Sequence, residues 1–143
     1  MKNGYMGECS LVRSMATASG LKSGQAFQNG TLNGVLVKDA ETASPYNAPV
    51  EIATDKLVKH YVSNALTYAA NAEATWGAID VGDKVYYDLS GLKDDPNQAT
   101  GVKIRLTTSP KDKADANNVQ YGVAAEAMTT ATATVSEIYI KMV

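Results

Sequence analysis

The chain contains one cysteine, one histidine, one tryptophan and one phenylalanine among 143 residues, and each scarcity removes a class of explanation. A lone Cys9 closes no disulfide within these residues, so the fold does not rest on oxidation. No His and acid pair is placed to activate its thiol, which reads as a small strand residue or an exposed group. One His and one Cys also fall short of the four nitrogen or sulfur ligands of a structural zinc site. No apolar run approaches the roughly 20 residues that span a bilayer, and the opening MKNGYMGECS lacks the apolar centre of a signal peptide. Thirteen Lys and Arg against fifteen Asp and Glu leave a net charge of −2, which offers no basic field to a phosphate backbone. Neither nucleic acid nor membrane is expected as a partner.

Signatures of catalysis are equally sparse. Gly30 and Gly34 are followed by no Lys and Ser or Thr, so they form no phosphate loop. His60 lies in LVKHYV, where alternation sets it on the face of Val58 and Val62, a structural position. Asp94, Asp95, Asp112 and Asp115 stand in loops that lack the ordered oxygen donors, central Gly and closing Glu of a calcium loop. They read as solvated loop charge. Asp80 and Asp83 flank Gly82 as turn residues, and Asp88 reads as a surface residue. The expectation is a protein that is not an enzyme, with no catalytic, cofactor-binding or metal-binding residues.

What the sequence does contain is strand alternation. In IDVGDKVYYDL, residues 79–89, a turn around Gly82 delivers Val85, Tyr87 and Leu89 to one face and Lys84, Tyr86 and Asp88 to the other. Similar patterns predict strands over residues 8–16, 50–53, 57–62, 102–107 and 119–126, the last with a close backbone approach at Gly122. The clearest lies in residues 129–143, with Ile138, Ile140 and Met142 opposite Glu137, Tyr139 and Lys141. Asn29-Gly30 and Asn33-Gly34 are tight-turn signals of a hairpin that leads into Val35, Leu36 and Val37. Residues 40–49, 90–101 and 109–118 are rich in turn formers and read as loops. Only the Ala-rich residues 64–75 have helical composition, and without an apolar stripe they fit a short helix or an extended crossing loop.

These elements predict an all-β fold, a small β-sandwich or β-barrel of about eight to ten short strands with at most one short helix. A chain of this size is one domain, residues 1–143, with residues 1–20 as an extended N-terminal arm. Its core is built from Val, Ile, Leu, Ala and Tyr and is shallow, which favours an assembly. Tyr86 and Tyr139, on the strand faces opposite the apolar ones, are the candidate interface residues, because Tyr buries a large ring while its tip stays wet.

In order, the pieces SGQAF, NGVLVKDA, VEIAT, GAIDVGDKVYYD and YGVAAEA, followed by a β-rich end, resemble the capsid cement or decoration proteins of tailed bacteriophages. The likeness runs from about Ser23 to Met142, and the chain departs from it in the charged loops between Leu92 and Asn118. The resemblance implies a structural virion protein, made in the host bacterial cytoplasm. It would bind the outer surface of an expanded icosahedral capsid and bridge major capsid subunits, often as a homotrimer. A second class also fits a β domain, a carbohydrate-binding or adhesin module on a virion or cell surface. That class calls for exposed aromatics, and the single Trp supplies little for sugar stacking.

Overall fold

The computed structural model describes residues 10–15, 24–36, 49–54, 57–98 and 101–143, which hold eleven β-strands and no helix. The all-β expectation is met. Near Lys56 the chain divides into two compact units.

In the first unit, β1 (Ser10–Met15), β2 (Ala26–Asn29), β3 (Leu32–Leu36) and β4 (Pro49–Thr54) form an antiparallel sheet in the order β1-β4-β3-β2. Pro49, which has no N–H to give a ladder, stands at the first residue of its strand. The β2–β3 hairpin turns over Gly30 and Thr31, with Asn29 opposite Leu32. Gly30 takes φ 62°, a left-handed backbone that a side chain would strain. Asn33 and Gly34, which carry the second turn signal, lie instead inside β3, opposite Gln28 and Phe27. Once the chain has reversed at Gly30, pairing claims them: Asn33 is buried, and Gln28 Nε2 donates to its Oδ1 at 2.7 Å. Cys9, Val37 and most of the 40–49 loop lie outside the described residues.

The second unit holds β5 (Leu57–Ser63), β6 (Ala65–Ala69), β7 (Ala72–Trp76), β8 (Lys84–Tyr87), β9 (Leu106–Thr107), β10 (Val119–Ala124) and β11 (Val135–Met142). Five of these close a barrel in the order β10-β11-β5-β9-β8. All its neighbours with a stated register are antiparallel except β5 and β9, which run parallel through Val62 opposite Leu106 and Ser63 opposite Thr107. Val62, Val85, Tyr87, Leu106, Tyr121, Ala124, Ile138 and Ile140 are buried, the apolar halves of their alternating strands. Burying each Val, Leu or Ile side chain among them is worth roughly 1.5–3 kcal/mol. The predicted alternation in β11 is present, with Ile138, Ile140 and Met142 buried and Tyr139 and Lys141 exposed. Gly122 is a point of close backbone approach, since a Cβ there would lie 2.5 Å from Lys141 O and 2.7 Å from Ile140 Cγ2.

Two of the predicted elements take another form. Residues 64–75 form neither a helix nor a crossing loop but the β6–β7 hairpin, a two-stranded sheet that turns over Ala70 and Asn71. Ala70 adopts φ 55°, so tertiary links hold the turn against alanine's preference for helix. The strand expected over residues 102–107 contributes only Leu106 and Thr107 to the ladder, although Ile104 and Leu106 are buried on either side of Arg105 as alternation predicts.

The 80–83 turn has the structure its residues suggest. Asp83 N donates to Asp80 O at 3.1 Å, Asp83 Oδ2 accepts from Asp80 N at 2.8 Å, and Gly82 takes φ 97°. Gly82 N then donates to Ala124 O, and Ala124 N to Asp83 O, stitching the turn to β10.

Candidate functional site

Alternation along β8 fails one residue after the strand ends, and a buried polar cluster begins there. Leu89, expected on the core face, is 65% exposed, while Asp88, expected at the surface, is 2% exposed. Asp88 N donates to Arg105 O at 2.6 Å, which turns the side chain inward. Its Oδ1 accepts from Ser90 N and Ser90 Oγ, both at 2.7 Å, and its Oδ2 from Tyr68 Oη at 3.2 Å. An Asp that captures the backbone two residues on forms its own local turn, and that local bond overrides the period of two.

Glu73 of β7 is the second carboxylate of the cluster. Its Oε1 accepts from Ser63 Oγ at 2.6 Å, and its Oε2 from Trp76 Nε1 at 2.8 Å and Lys93 Nζ at 2.9 Å. Burial opposes its charge, but the bonds from Ser63, Trp76 and Lys93 outweigh that and hold its carboxyl below the usual carboxylate range. Tyr68 is held protonated, first by burial and then by the nearby charges of Asp88 and Glu73. The gap between these groups is about 10 Å³, the volume of roughly one water. The cluster therefore clamps the β6–β7 hairpin to the barrel wall and leaves no room for a substrate between its carboxylates.

His60 faces the barrel interior, as predicted. Tyr121 Oη lies 3.4 Å from its Nε2, the two rings meet edge to face at 6.0 Å, and Tyr121 stacks on Tyr87 at 6.3 Å. Burial lowers the His60 pKa to about 4. Asn64, fully buried between β5 and β6, escaped the sequence reading altogether. Its amide shares two protons among Gly77 O, Thr130 O and Thr132 O at 2.8–3.3 Å, while its Oδ1 accepts from Thr134 N at 2.9 Å. Nothing periodic marks such a residue; the only cue is a polar side chain following an apolar strand.

Both predicted interface residues lie on the outer wall of the barrel. Tyr139 is 44% exposed on β11, opposite Lys59 of β5, whose Nζ stands 4.9 Å from the ring centroid. Tyr86, half-buried on β8, pairs with Gln120 of β10 and Thr107 of β9. β10 separates the strands that carry the two tyrosines. Elsewhere, a groove of about 440 Å³ runs between the β6–β7 hairpin and residues 109–115, past Leu66, Pro110 and Lys113.

The loop acids are engaged in their own loops. Asp94 pairs with Lys103 at 2.6 Å and Asp115 with Lys111 at 2.8 Å, Asp95 accepts from Asn97 N, and Asp112 accepts from Ala114 N and Ala116 N. Compared with known proteins, the chain matches no family model, no curated protein and no solved structure.

Proposed function

We propose that this protein is a structural component of a tailed-phage virion that binds the outer surface of the expanded icosahedral capsid, as a homotrimer, and bridges major capsid subunits. The reading rests on the ordered pieces from Ser23 to Met142 that resemble capsid cement proteins. The structural observation that carries it is the outer barrel wall. There, regular strands hold large side chains such as Leu57, 57% exposed, and Tyr139 out to solvent. Such side chains supply the apolar centre of an interface.

The mechanism is thermodynamic. A protein that binds the expanded shell and not its compact precursor stabilises the expanded state by about 2.7 kcal/mol per site at a concentration 100 times its Kd. The test is co-sedimentation of the purified protein with expanded and compact heads of the phage that carries the gene, both prepared without it. Saturable binding to expanded heads alone is expected, together with a higher temperature of DNA release from decorated heads. Equal binding to both shells would refute the mechanism.

A further inference from the structure

The β6–β7 hairpin is a two-stranded sheet, so each of its strands has one edge without a neighbouring strand. β6 starts at Ala65, whose carbonyl accepts from Thr108 Oγ1 at 2.9 Å. From that joint the two chain segments separate, and the groove of about 440 Å³ lies between them. Its hairpin wall consists of Leu66, Thr67, Tyr68 and Ala70, with nothing from β7. Side chains alternate across a strand, so consecutive residues border one space along the strand's edge and not across one of its faces. The groove therefore opens on the free edge of β6.

That edge is uncommitted. Ala65 pairs with Trp76 and Thr67 with Thr75, which leaves Leu66 as the extra residue of a bulge with nothing opposite it on β7. Among the described residues, no backbone group from outside the hairpin bonds to the backbone of Leu66, Thr67, Tyr68 or Ala69. A row of open N–H and C=O groups is a template for one more strand. At strand and sheet spacings an extended residue occupies roughly 160 Å³, so the groove accepts about three. Leu66, Thr67 and Tyr68 offer a matching length of edge.

The opposite wall is fixed and carries an unused cation. Ser109 Oγ donates to Lys111 O at 2.6 Å, and Asn118 Nδ2 to Ser109 O at 3.2 Å, so the loop holds its shape by its own bonds. Of the four charged side chains along the groove, Lys111 pairs with Asp115 at 2.8 Å, and Asp112 Oδ1 accepts from Ala114 N and Ala116 N at 2.8 and 2.9 Å. The formal charges cancel, but half-buried Lys113 makes no ion pair or side-chain hydrogen bond among the described residues. Its ammonium keeps three donors for an acceptor from outside. Beside it lie the exposed apolar surfaces of Leu66 and Pro110.

We infer that the groove takes an extended segment of a partner protein as a strand added to β6, with a carboxylate side chain for Lys113 and an apolar one against Leu66 and Pro110. Main-chain bonds along β6 supply the affinity, and the two side chains select the segment. Both walls stand in place beforehand, the hairpin through Glu73 and Tyr68 and the loop through its own bonds, which reduces the ordering cost. The inference does not depend on the head-binding reading, and its test involves no capsid.

The probes are end-capped hexapeptides that alternate Val and Thr, with one Asp placed at each position in turn. Matched controls carry Lys in place of that Asp, or N-methyl groups on alternate backbone amides, in both phases. Each is titrated into the full-length protein while its backbone amide NMR signals are followed. Shifts are expected at residues 66–69 and 109–113, with the best Asp peptide binding about tenfold tighter than its Lys counterpart and one N-methylated phase failing to bind. Lys113→Glu, checked for unchanged thermal unfolding, should weaken the Asp peptide by about tenfold or more, while Lys84→Glu, outside the groove, leaves it unchanged. Absence of shifts with every peptide at about 1 mM, or shifts that map to another edge, would overturn the inference. So would N-methylated peptides of both phases that bind as tightly, or an Asp preference that survives Lys113→Glu.

Discussion

The barrel strand β11 and the β6–β7 hairpin are neighbours in one unit but are held by different physics. β11 is held by area: from Ile138 onward every second residue is apolar and buried, while Tyr139 and Lys141 between them stand in water. The hairpin is held by points: its mostly exposed Ala and Thr side chains bury little, and Asn64, Ser63, Glu73 and Tyr68 fix it through individual hydrogen bonds. A strand held by area advertises itself in sequence and tolerates small losses. A hairpin held by points does neither, because each buried partner left unsatisfied costs about 1–3 kcal/mol.

The largest expected effect lies at the joint between the two regions. Asn64→Ala strips partners from three carbonyls and from Thr134 N in a fully buried site, and should lower stability by about 4 kcal/mol in urea denaturation. A loss below about 1 kcal/mol would show that the hairpin joint is held by area after all.

Acid tests the barrel half. His60 has a folded pKa of about 4, below its unfolded value of 6.5. Between these values the unfolded chain binds the extra proton, so the stability His60 contributes is complete above pH 6.5 and is lost as the pH falls toward 4. The loss should reach about 3 kcal/mol at pH 4. His60→Gln should remove most of that slope when both proteins are unfolded across the window, and parallel curves would overturn the assignment.

The smallest effect, and the only gain, belongs to the hairpin tip. Ala70 sits at φ 55° and is exposed, a backbone that costs an L-residue roughly 1–2 kcal/mol. Ala70→Gly is expected to stabilise the protein by about 0.5–1 kcal/mol after glycine's own entropy is deducted. A measured loss would mean that tertiary contacts of the alanine methyl outweigh the strain.

These contrasts explain what could be read in advance. The β class, the inward face of β11, the inward His60, the close approach at Gly122 and the outward placement of Tyr139 all follow from a period of two or from a glycine within a strand. The hairpin was masked by alanines, whose intrinsic preference is helical, while the residues that override it are single polar groups with no period. Asp88 was misplaced because alternation was carried past the end of β8, where a local turn takes over. The outer row of Lys84, Val123, Lys141 and Leu57 had no signal at all along the chain, since register, not sequence distance, makes them neighbours.

The parallel seam between β5 and β9 sets the order in which the barrel is assembled. β5 is the first barrel strand in the chain, yet its partners are β9 and β11, so Val62 waits for Leu106 and Leu57 for Lys141. No local hairpin gives β5 an early companion in the barrel, because β6 leaves it to pair with β7. Loop-closure entropy must be met before these distant pairings return any energy, which makes barrel closure the slow step of folding. During that wait the half of β5 destined for the interior, His60 and Val62 included, is exposed to the solvent and to other chains.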